Sequence, residues 1–152
     1  GGTAQRCSGA ERKSRGAMKE WAMKTGISLP RRILVVEDDE DMRENLRRIL
    51  VGAGYEVQMA RDGAEAITVL DTHPCHLVLT DLVMPGMGGL DLLAEIRRHE
   101  QNLPVVFLTA FGDRATFAKV TEMGAVDFLT KPFRAASLLG IIQRILNGHS
   151  SR

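Results

Sequence analysis

The stretch VLTDLVMPGMGG, from Val78 to Gly89, places a carboxylate at the end of an apolar run and follows it with a turn rich in Gly and Pro. The run itself, HLVLT from His76 to Thr80, suits a strand that is covered on both faces. A charged group at the end of a buried strand raises the question of which other groups meet it there. The side chains most informative about function are therefore those that, like Asp81, directly follow an apolar run.

Apolar runs of strand length recur along the chain, and a segment with helical spacing of its apolar residues follows each of them. The predicted strands are Ile33–Val36, Tyr55–Ala60, His76–Thr80, Pro104–Ala110 and Val126–Thr130. The predicted helices run from about Met42 to Ala53, Ala64 to Leu70, Leu90 to Arg98, Arg114 to Met123 and Ala135 to Leu146. This alternation predicts βαβ units, and hence an α/β fold with a parallel sheet and helices on both faces.

Length and charge indicate one domain preceded by a basic arm. The 152 residues, 44% of them hydrophobic, can bury one sizeable core. Residues 1–32 hold eight Lys and Arg against two Glu, whereas the rest holds twelve against seventeen Asp and Glu. The expected divisions are a basic arm or linker at 1–31, the domain at 32–147 and a tail at 148–152.

The basic arm has two readings. Its positive charge could attract nucleic acid or lipid, but a solvated linker is favoured, and the opening Gly-Gly is typical of an expression tag. Apolar residues at helical spacing predict a short helix from about Glu11 to Lys24.

The composition also argues against several classes of protein. Two cysteines, Cys7 and Cys75, do not make a disulfide framework, which favours a reducing, cytoplasmic setting. No apolar run approaches the ~20 residues of a membrane span, and the basic start lacks the apolar part of a secretory signal. We therefore expect a cytoplasmic protein without membrane contact.

The carboxyl ends of the predicted strands carry the reactive side chains. In open parallel sheets, ligands bind beyond these ends, where the strand order reverses. The residues there are Glu37, Asp38, Asp39, Asp81, Thr109 and Lys131. Carboxylates without His or Cys favour Mg²⁺ over zinc.

The same residue types suit phosphoryl chemistry. Asp38 and Asp81 are the expected direct ligands of Mg²⁺, with the backbone carbonyl of Val83 within reach. A carboxylate oxygen of Asp81 can also attack phosphorus. The charge that grows on the phosphoryl oxygens would then meet the metal, the Lys131 ammonium and the Thr109 hydroxyl.

Each of these residues has an ordinary explanation when taken singly. Asp39, Glu40 and Asp41 would cap the first helix and complement its dipole, and this is what we expect of those three. Asp81 alone could be a loop residue, and Lys131 alone a surface lysine. Matching chemistry at four separate strand ends favours a site.

Four motifs together resemble the receiver domain of two-component response regulators. They are ILVVEDD, LVLTDLVMPGMGGLDLL, PVVFLTA and GAVDFLTKPF, and the resemblance as a whole covers about Arg32 to Leu146. They look most like receivers of sigma-54-type activators or hybrid kinases. The resemblance implies a flavodoxin-like (βα)5 fold with strand order 2-1-3-4-5.

The resemblance also implies a role for each residue of the site. Asp81 would be the phosphoacceptor. Asp38 and Glu37, the latter through water because it is longer than the more common Asp, would hold Mg²⁺. Lys131 would contact the phosphoryl group from a Lys-Pro peptide that is commonly cis in the family.

A switch pair and partners follow from the same resemblance. Thr109 and Phe128 would transmit phosphorylation to the surface formed by the fourth helix, fifth strand and fifth helix, which is also the expected homodimer face. Phe128 stands where Tyr is common, so no phenol hydroxyl can take part. The donor would be a sensor histidine kinase or a histidine phosphotransfer protein of a phosphorelay, and the chain would be a switch rather than an enzyme.

Two alternatives remain beside the stand-alone receiver. The chain could be the receiver fragment of a DNA-binding transcription regulator, although nothing after Leu146 can form a helix-turn-helix, so we expect no nucleic-acid binding by this chain. It could instead be a Mg²⁺-dependent phosphohydrolase with Asp81 as its nucleophile. Against that class, no substrate-binding cap or second acid/base is visible in so short a sequence.

Overall fold

The computed structural model describes residues 30–84, 86–110 and 114–150, together with three single positions in the N-terminal arm. The helix expected from about Glu11 to Lys24 lies, apart from two positions, outside the described residues. No helix of the described part is both long and apolar enough to cross a membrane.

Strands and helices alternate along the described chain as predicted. The strands are β1 Arg32–Val36, β2 Glu56–Ala60, β3 Leu77–Asp81, β4 Val105–Thr109 and β5 Asp127–Thr130. The helices are α1 Glu40–Gly52, α2 Gly63–Thr72, α3 Gly89–His99, α4 Arg114–Glu122 and α5 Ala135–Ser150. The last helix continues beyond the predicted end at Leu146, because Gly148 weakens a helix without ending it.

The strands form one parallel sheet in the order β2-β1-β3-β4-β5, which confirms the order expected from the resemblance. The order reverses between β1 and β3, the two strands that carry the acidic residues. Val36 pairs with Thr80 across this junction. Glu37 directly follows Val36, and Asp81 directly follows Thr80. These two residues therefore meet at the carboxyl edge of the sheet, where ligands bind in such folds.

Two apolar clusters lie on opposite faces of the sheet, because alternate strand residues point to opposite sides. One joins β1, β3 and β4 to α1 and α5, through Ile33, Val35, Leu46, Leu50, Leu79, Leu108, Leu138 and Ile142. The other joins the same strands to α2, α3 and α4, through Leu34, Val36, Ala66, Val78, Leu92, Leu93, Phe107 and Val120. Helices cover both faces, as expected.

Side-chain caps fix where α1 and α2 begin. The Asp39 carboxylate accepts a hydrogen bond from the Met42 N–H at 3.0 Å, and Asp62 accepts one from the Glu65 N–H at 2.8 Å. Each satisfies a backbone donor that the first turn of a helix leaves unpaired. Glu40 and Asp41 lie in the first turn of α1. The capping role expected of this acidic run is confirmed at Asp39.

The start of α3 packs directly on the end of β3. The Gly89 N–H donates to the Leu82 carbonyl at 3.0 Å. A Cβ on Gly89 would lie 2.5 Å from the Asp81 carbonyl oxygen and 2.7 Å from the Phe107 ring. Only glycine can come this close to the Asp81 backbone. This close packing holds the turn after Asp81 in place.

Candidate functional site

The structure brings three carboxylates together at the carboxyl edge of the sheet. Glu37, Asp38 and Asp81 each place an oxygen within 4.8 Å of the other two. Glu37 is 1% exposed and Asp81 is 8% exposed, whereas Asp38 faces solvent. The cluster is therefore buried on one side and open to water on the other.

Lys131 bridges the two buried members of this cluster. Its Nζ donates to Asp81 Oδ2 at 2.8 Å and to Glu37 Oε2 at 3.0 Å. The Lys131-Pro132 peptide is cis, as the resemblance implies. Burial alone would lower the pKa of Lys131, but the hydrogen bonds to the two carboxylates outweigh it, and the pKa is raised. The ammonium is thus held in its charged form beside the two buried carboxylates.

Burial governs the electrostatics of Glu37. It raises the pKa of this carboxyl to about 7, with a contribution from the Asp81 charge and opposition from Lys131. The Asp39 N–H donates to Oε1 at 3.3 Å, while Oε2 accepts from Lys131. Both carboxylate oxygens thus have a partner, and the contact of Glu37 with a metal through water stays a prediction.

The Asp81 carboxylate is oriented from both sides. Oδ1 accepts a hydrogen bond from the Val83 N–H at 3.3 Å, and Oδ2 accepts from Lys131. Val83 itself is 59% exposed, beside the open side of the cluster. Its backbone lies next to the carboxylate, while its carbonyl as a metal ligand stays a prediction.

Thr109 and Phe128 belong to neighbouring strands of the sheet, β4 and β5. Thr109 ends β4 and is fully buried, and its carbonyl accepts from the Lys131 N–H at 2.7 Å. Phe128 is half-buried in β5, and it pairs in register with Phe107. Phe107 and Phe128 belong to the cluster that α4 covers, and Thr109 shares that face because it stands two residues after Phe107.

The donor set fits Mg²⁺. All candidate ligands are hard oxygens, and Asp38 is exposed, which leaves room for the waters that this ion retains. A divalent cation would also offset the repulsion among three carboxylates that share one lysine. Asp38 and Asp81 would hold it directly.

Sequence reasoning missed one residue of this region. The Arg43 guanidinium, in the second turn of α1, donates from Nη1 to the Glu37 carbonyl at 2.9 Å. An arginine shortly after an acidic run on the same helix was the only signal in the sequence, and nothing in it distinguished Arg43 from Arg47 or Arg48.

The comparisons with known proteins agree with this geometry. The model of the response regulator receiver domain matches residues 33–143, and the chain belongs to that family. The chain is 40% identical over 113 residues to response regulator RR06 of Streptococcus pneumoniae serotype 2, covering 74% of this chain and 50% of that protein. It is 33% identical over 120 residues to the DNA-binding transcriptional regulator NtrC of Escherichia coli K12, covering 79% of this chain and 26% of that protein.

A solved structure shows the same fold. The chemotaxis protein CheY4 of Vibrio cholerae superposes with a TM-score of 0.75 at 28% identity, over 77% of this chain and 99% of that one. The chain spans about half the length of the curated relatives it matches first. The receiver recognition made from the motifs is confirmed, and so is the flavodoxin-like fold.

Proposed function

We propose that this chain is a phosphoacceptor switch that receives a phosphoryl group on Asp81 from a histidine kinase or a histidine phosphotransfer protein. The observation that carries the proposal is the placement of Asp81. It ends a buried strand, contacts the Lys131 ammonium at 2.8 Å, and lies within 4.8 Å of the Glu37 and Asp38 carboxylates.

The transfer proceeds by attack of an Asp81 carboxylate oxygen on the phosphorus of a phosphohistidine. A P–O bond forms as the P–N bond breaks, and the electron pair stays on the imidazole nitrogen, which takes a proton from solvent. Lys131 and the Thr109 hydroxyl stabilise the transferred oxygens. Mg²⁺ bound by Asp38 and Asp81 would supply further positive charge to the same oxygens. Attack of water on phosphorus later releases phosphate and restores the carboxylate.

The signal leaves through the face that α4, β5 and α5 share. The Thr109 hydroxyl moves toward the phosphoryl group, and the Phe128 ring turns into the space behind it. Such a switch requires that a partner bind one state more tightly than the other. That partner is an output segment, another protein or a second copy of this chain. We place this activity in the cytoplasm.

The test is phosphorylation by a small donor. Acetyl phosphate with Mg²⁺ should add one phosphoryl group to the intact protein by mass spectrometry, with acetate as the other product. Asp81→Asn should abolish the gain, whereas Asp91→Asn, an exposed carboxylate in the first turn of α3, should leave it unchanged. Labelling that survives Asp81→Asn, or that needs no metal, would show that the assignment is wrong. Steady turnover of small phosphate esters would favour a phosphohydrolase instead.

A further inference from the structure

We infer that Arg43 is a positioning residue, which holds the loop between β1 and α1 in the shape that presents Asp38 to a divalent cation. This inference rests on the proposed function of the acidic cluster. It gives a role to a half-buried arginine that lies outside the set of phosphoacceptor, lysine and switch residues.

The first support is the carbonyl that Arg43 binds. Glu37 is the point where the chain leaves the sheet: its N–H still donates to the Ala60 carbonyl at 3.1 Å, but the strand pairings of β1 end at Val36. The Glu37 carbonyl therefore needs a donor from outside the sheet, and Arg43 Nη1 supplies it at 2.9 Å. A carbonyl of a residue that is 1% exposed would otherwise lose a hydrogen bond that water cannot easily replace.

The second support is that the Arg43 side chain binds a peptide unit that adjoins Asp38. Its backbone N–H donates to the Asp39 carbonyl at 2.9 Å, the first bond within α1, which any residue at this position would make, while its guanidinium alone reaches the Glu37 carbonyl. That carbonyl belongs to the peptide unit between Glu37 and Asp38, the exposed member of the acidic cluster. The Arg43 side chain therefore restrains the peptide unit that leads into Asp38, and with it the direction of the Asp38 carboxylate.

The third support is the contrast with neighbouring arginines of α1. Arg47 and Arg48 both form ion pairs with Glu44 on the surface of the helix. Arg43 forms no ion pair with another described residue within 4.0 Å, so its charge is directed to a carbonyl at the site. A guanidinium remains charged at all relevant pH values and carries only donors, which suits it to hold a carbonyl in a fixed direction.

The consequence concerns the affinity for metal more than the stability of the fold. Without the guanidinium, the Glu37–Asp38 peptide can rotate, and the Asp38 carboxylate then spends less time facing Asp81. Groups that orient metal ligands typically change metal affinity by roughly 10–100-fold when they are removed. We expect Arg43→Met, which keeps the apolar stem, to weaken Mg²⁺ binding by at least about tenfold.

The experiment is calorimetric titration of the full chain with MgCl2, at a temperature where every variant is folded in EDTA. Arg43→Lys keeps a positive charge and a donor at the same position, so its affinity should lie between those of Arg43→Met and the parent. Arg48→Met is the matched control, because it removes a charge of the same helix that does not contact the loop. Its affinity should stay within about twofold of the parent, a change of about 0.4 kcal/mol.

The outcomes separate this inference from the proposed function. If the parent chain binds no Mg²⁺ or Asp81 accepts no phosphoryl group, the proposed function fails. If the parent does both and Arg43→Met binds Mg²⁺ as tightly as Arg48→Met does, the positioning role of Arg43 is overturned and the function stands. Should Arg43→Met not fold, Arg43→Gln, whose side chain is shorter and uncharged, is judged by the same criterion.

Discussion

Glu37 is a buried carboxyl within the cluster of three carboxylates at the carboxyl edge of the sheet. It is 1% exposed, and it shares the Lys131 ammonium with Asp81. Burial raises its pKa to about 7, so that near neutral pH the metal-free protein exchanges a proton at this position. A metal held by this cluster would therefore compete with the proton for the same oxygens.

Stability of the metal-free protein should depend on pH through Glu37. Its folded pKa of about 7 lies above the ordinary 4.5, so the folded protein holds this proton more tightly than the unfolded chain does. The stabilisation is complete below about pH 4.5 and is lost as the pH rises through about 7. In EDTA, the free energy of unfolding in urea should fall by on the order of 3 kcal/mol over this range.

Glu37→Gln should remove most of this slope, since an amide does not titrate. The exposed Glu100→Gln variant should keep it. If the pH profiles of Glu37→Gln and the parent coincide, another group dominates the pH dependence and Glu37 is ionised in the folded protein.

Asp38 adds a third carboxylate to a cluster in which Lys131 contacts only the other two. In the absence of metal above pH 7, Asp38→Ala should therefore raise the melting temperature while it weakens Mg²⁺ binding. Relief of about 1 kcal/mol corresponds to roughly 2–4 °C for a chain of this size. Paired melting curves in EDTA and in excess Mg²⁺ test both parts. A variant that melts lower than the parent in EDTA would show that the charge of Asp38 is already compensated.

At the scale of elements, two glycines lie at the start of α3, and only the first of them leaves room for a side chain. Gly88 is the N-cap with φ −76° and ψ 176°, a conformation open to any residue, and it makes no side-chain cap. A Cβ there would lie 3.6 Å from the Leu82 carbonyl oxygen, an ordinary contact. A Cβ on Gly89 would overlap the Asp81 carbonyl at 2.5 Å.

Gly88→Ser should stabilise the protein by about 0.5–1 kcal/mol, because it adds a capping hydroxyl and restricts the unfolded chain. Gly89→Ala should destabilise it by about 1–3 kcal/mol or more, since the backbone at Asp81 has to move. Urea unfolding of the two variants in parallel measures the contrast, and phosphorylation by acetyl phosphate should fall only in Gly89→Ala. Equal effects at the two positions would contradict the packing described here.

The sequence predicted elements well and contacts poorly, for a physical reason. The sequence identifies a strand such as β3 because its buried positions carry mostly apolar side chains. The hydrogen bond from Lys131 to Glu37 joins residues 94 positions apart, and no local sequence pattern indicates a contact between residues so far apart in the chain. The role of Arg43 was missed for a related reason. Its partner is a backbone carbonyl, which every residue has, so the identity of the partner residue does not indicate the contact.

At the scale of the whole molecule, the site and the expected output face are joined through one side of the sheet. Thr109, Phe107 and Phe128 share the face that α4 covers, where Val120 packs into the same cluster. The far end of α4 is tied to α3, because Arg97 Nη2 donates to the Gly124 carbonyl at 2.7 Å. The helix α2 belongs to the same cluster but packs against β2 and β1, away from Thr109, which pairs with β5. A displacement that begins at Thr109 is therefore expected to reach β5 and α4 more than α2.

Beryllofluoride with Mg²⁺, as a stand-in for the phosphoryl group on Asp81, should move the Phe128 ring inward. Complete burial of a phenylalanine contributes roughly 1.5–3 kcal/mol, and a ring that starts half-buried gains about half of that, enough to bias a two-state equilibrium by about three- to tenfold. Amide signals of α4, β5 and the start of α5 should shift more than those of α2 in NMR spectra.

Thr109→Ala should leave phosphorylation of Asp81 intact but reduce the structural response of α4 and β5. The variant keeps Asp81 and Lys131, so the intact mass should still gain one phosphoryl group from acetyl phosphate, but it lacks the hydroxyl that draws the end of β4 toward the site. Thr130→Ala, at the paired position of β5 on the exposed edge, is the matched control and should respond as the parent does. If Thr109→Ala with beryllofluoride shows the full shifts in α4 and β5, the coupling between Thr109 and Phe128 is wrong. The signal then leaves through Lys131 and the start of α5.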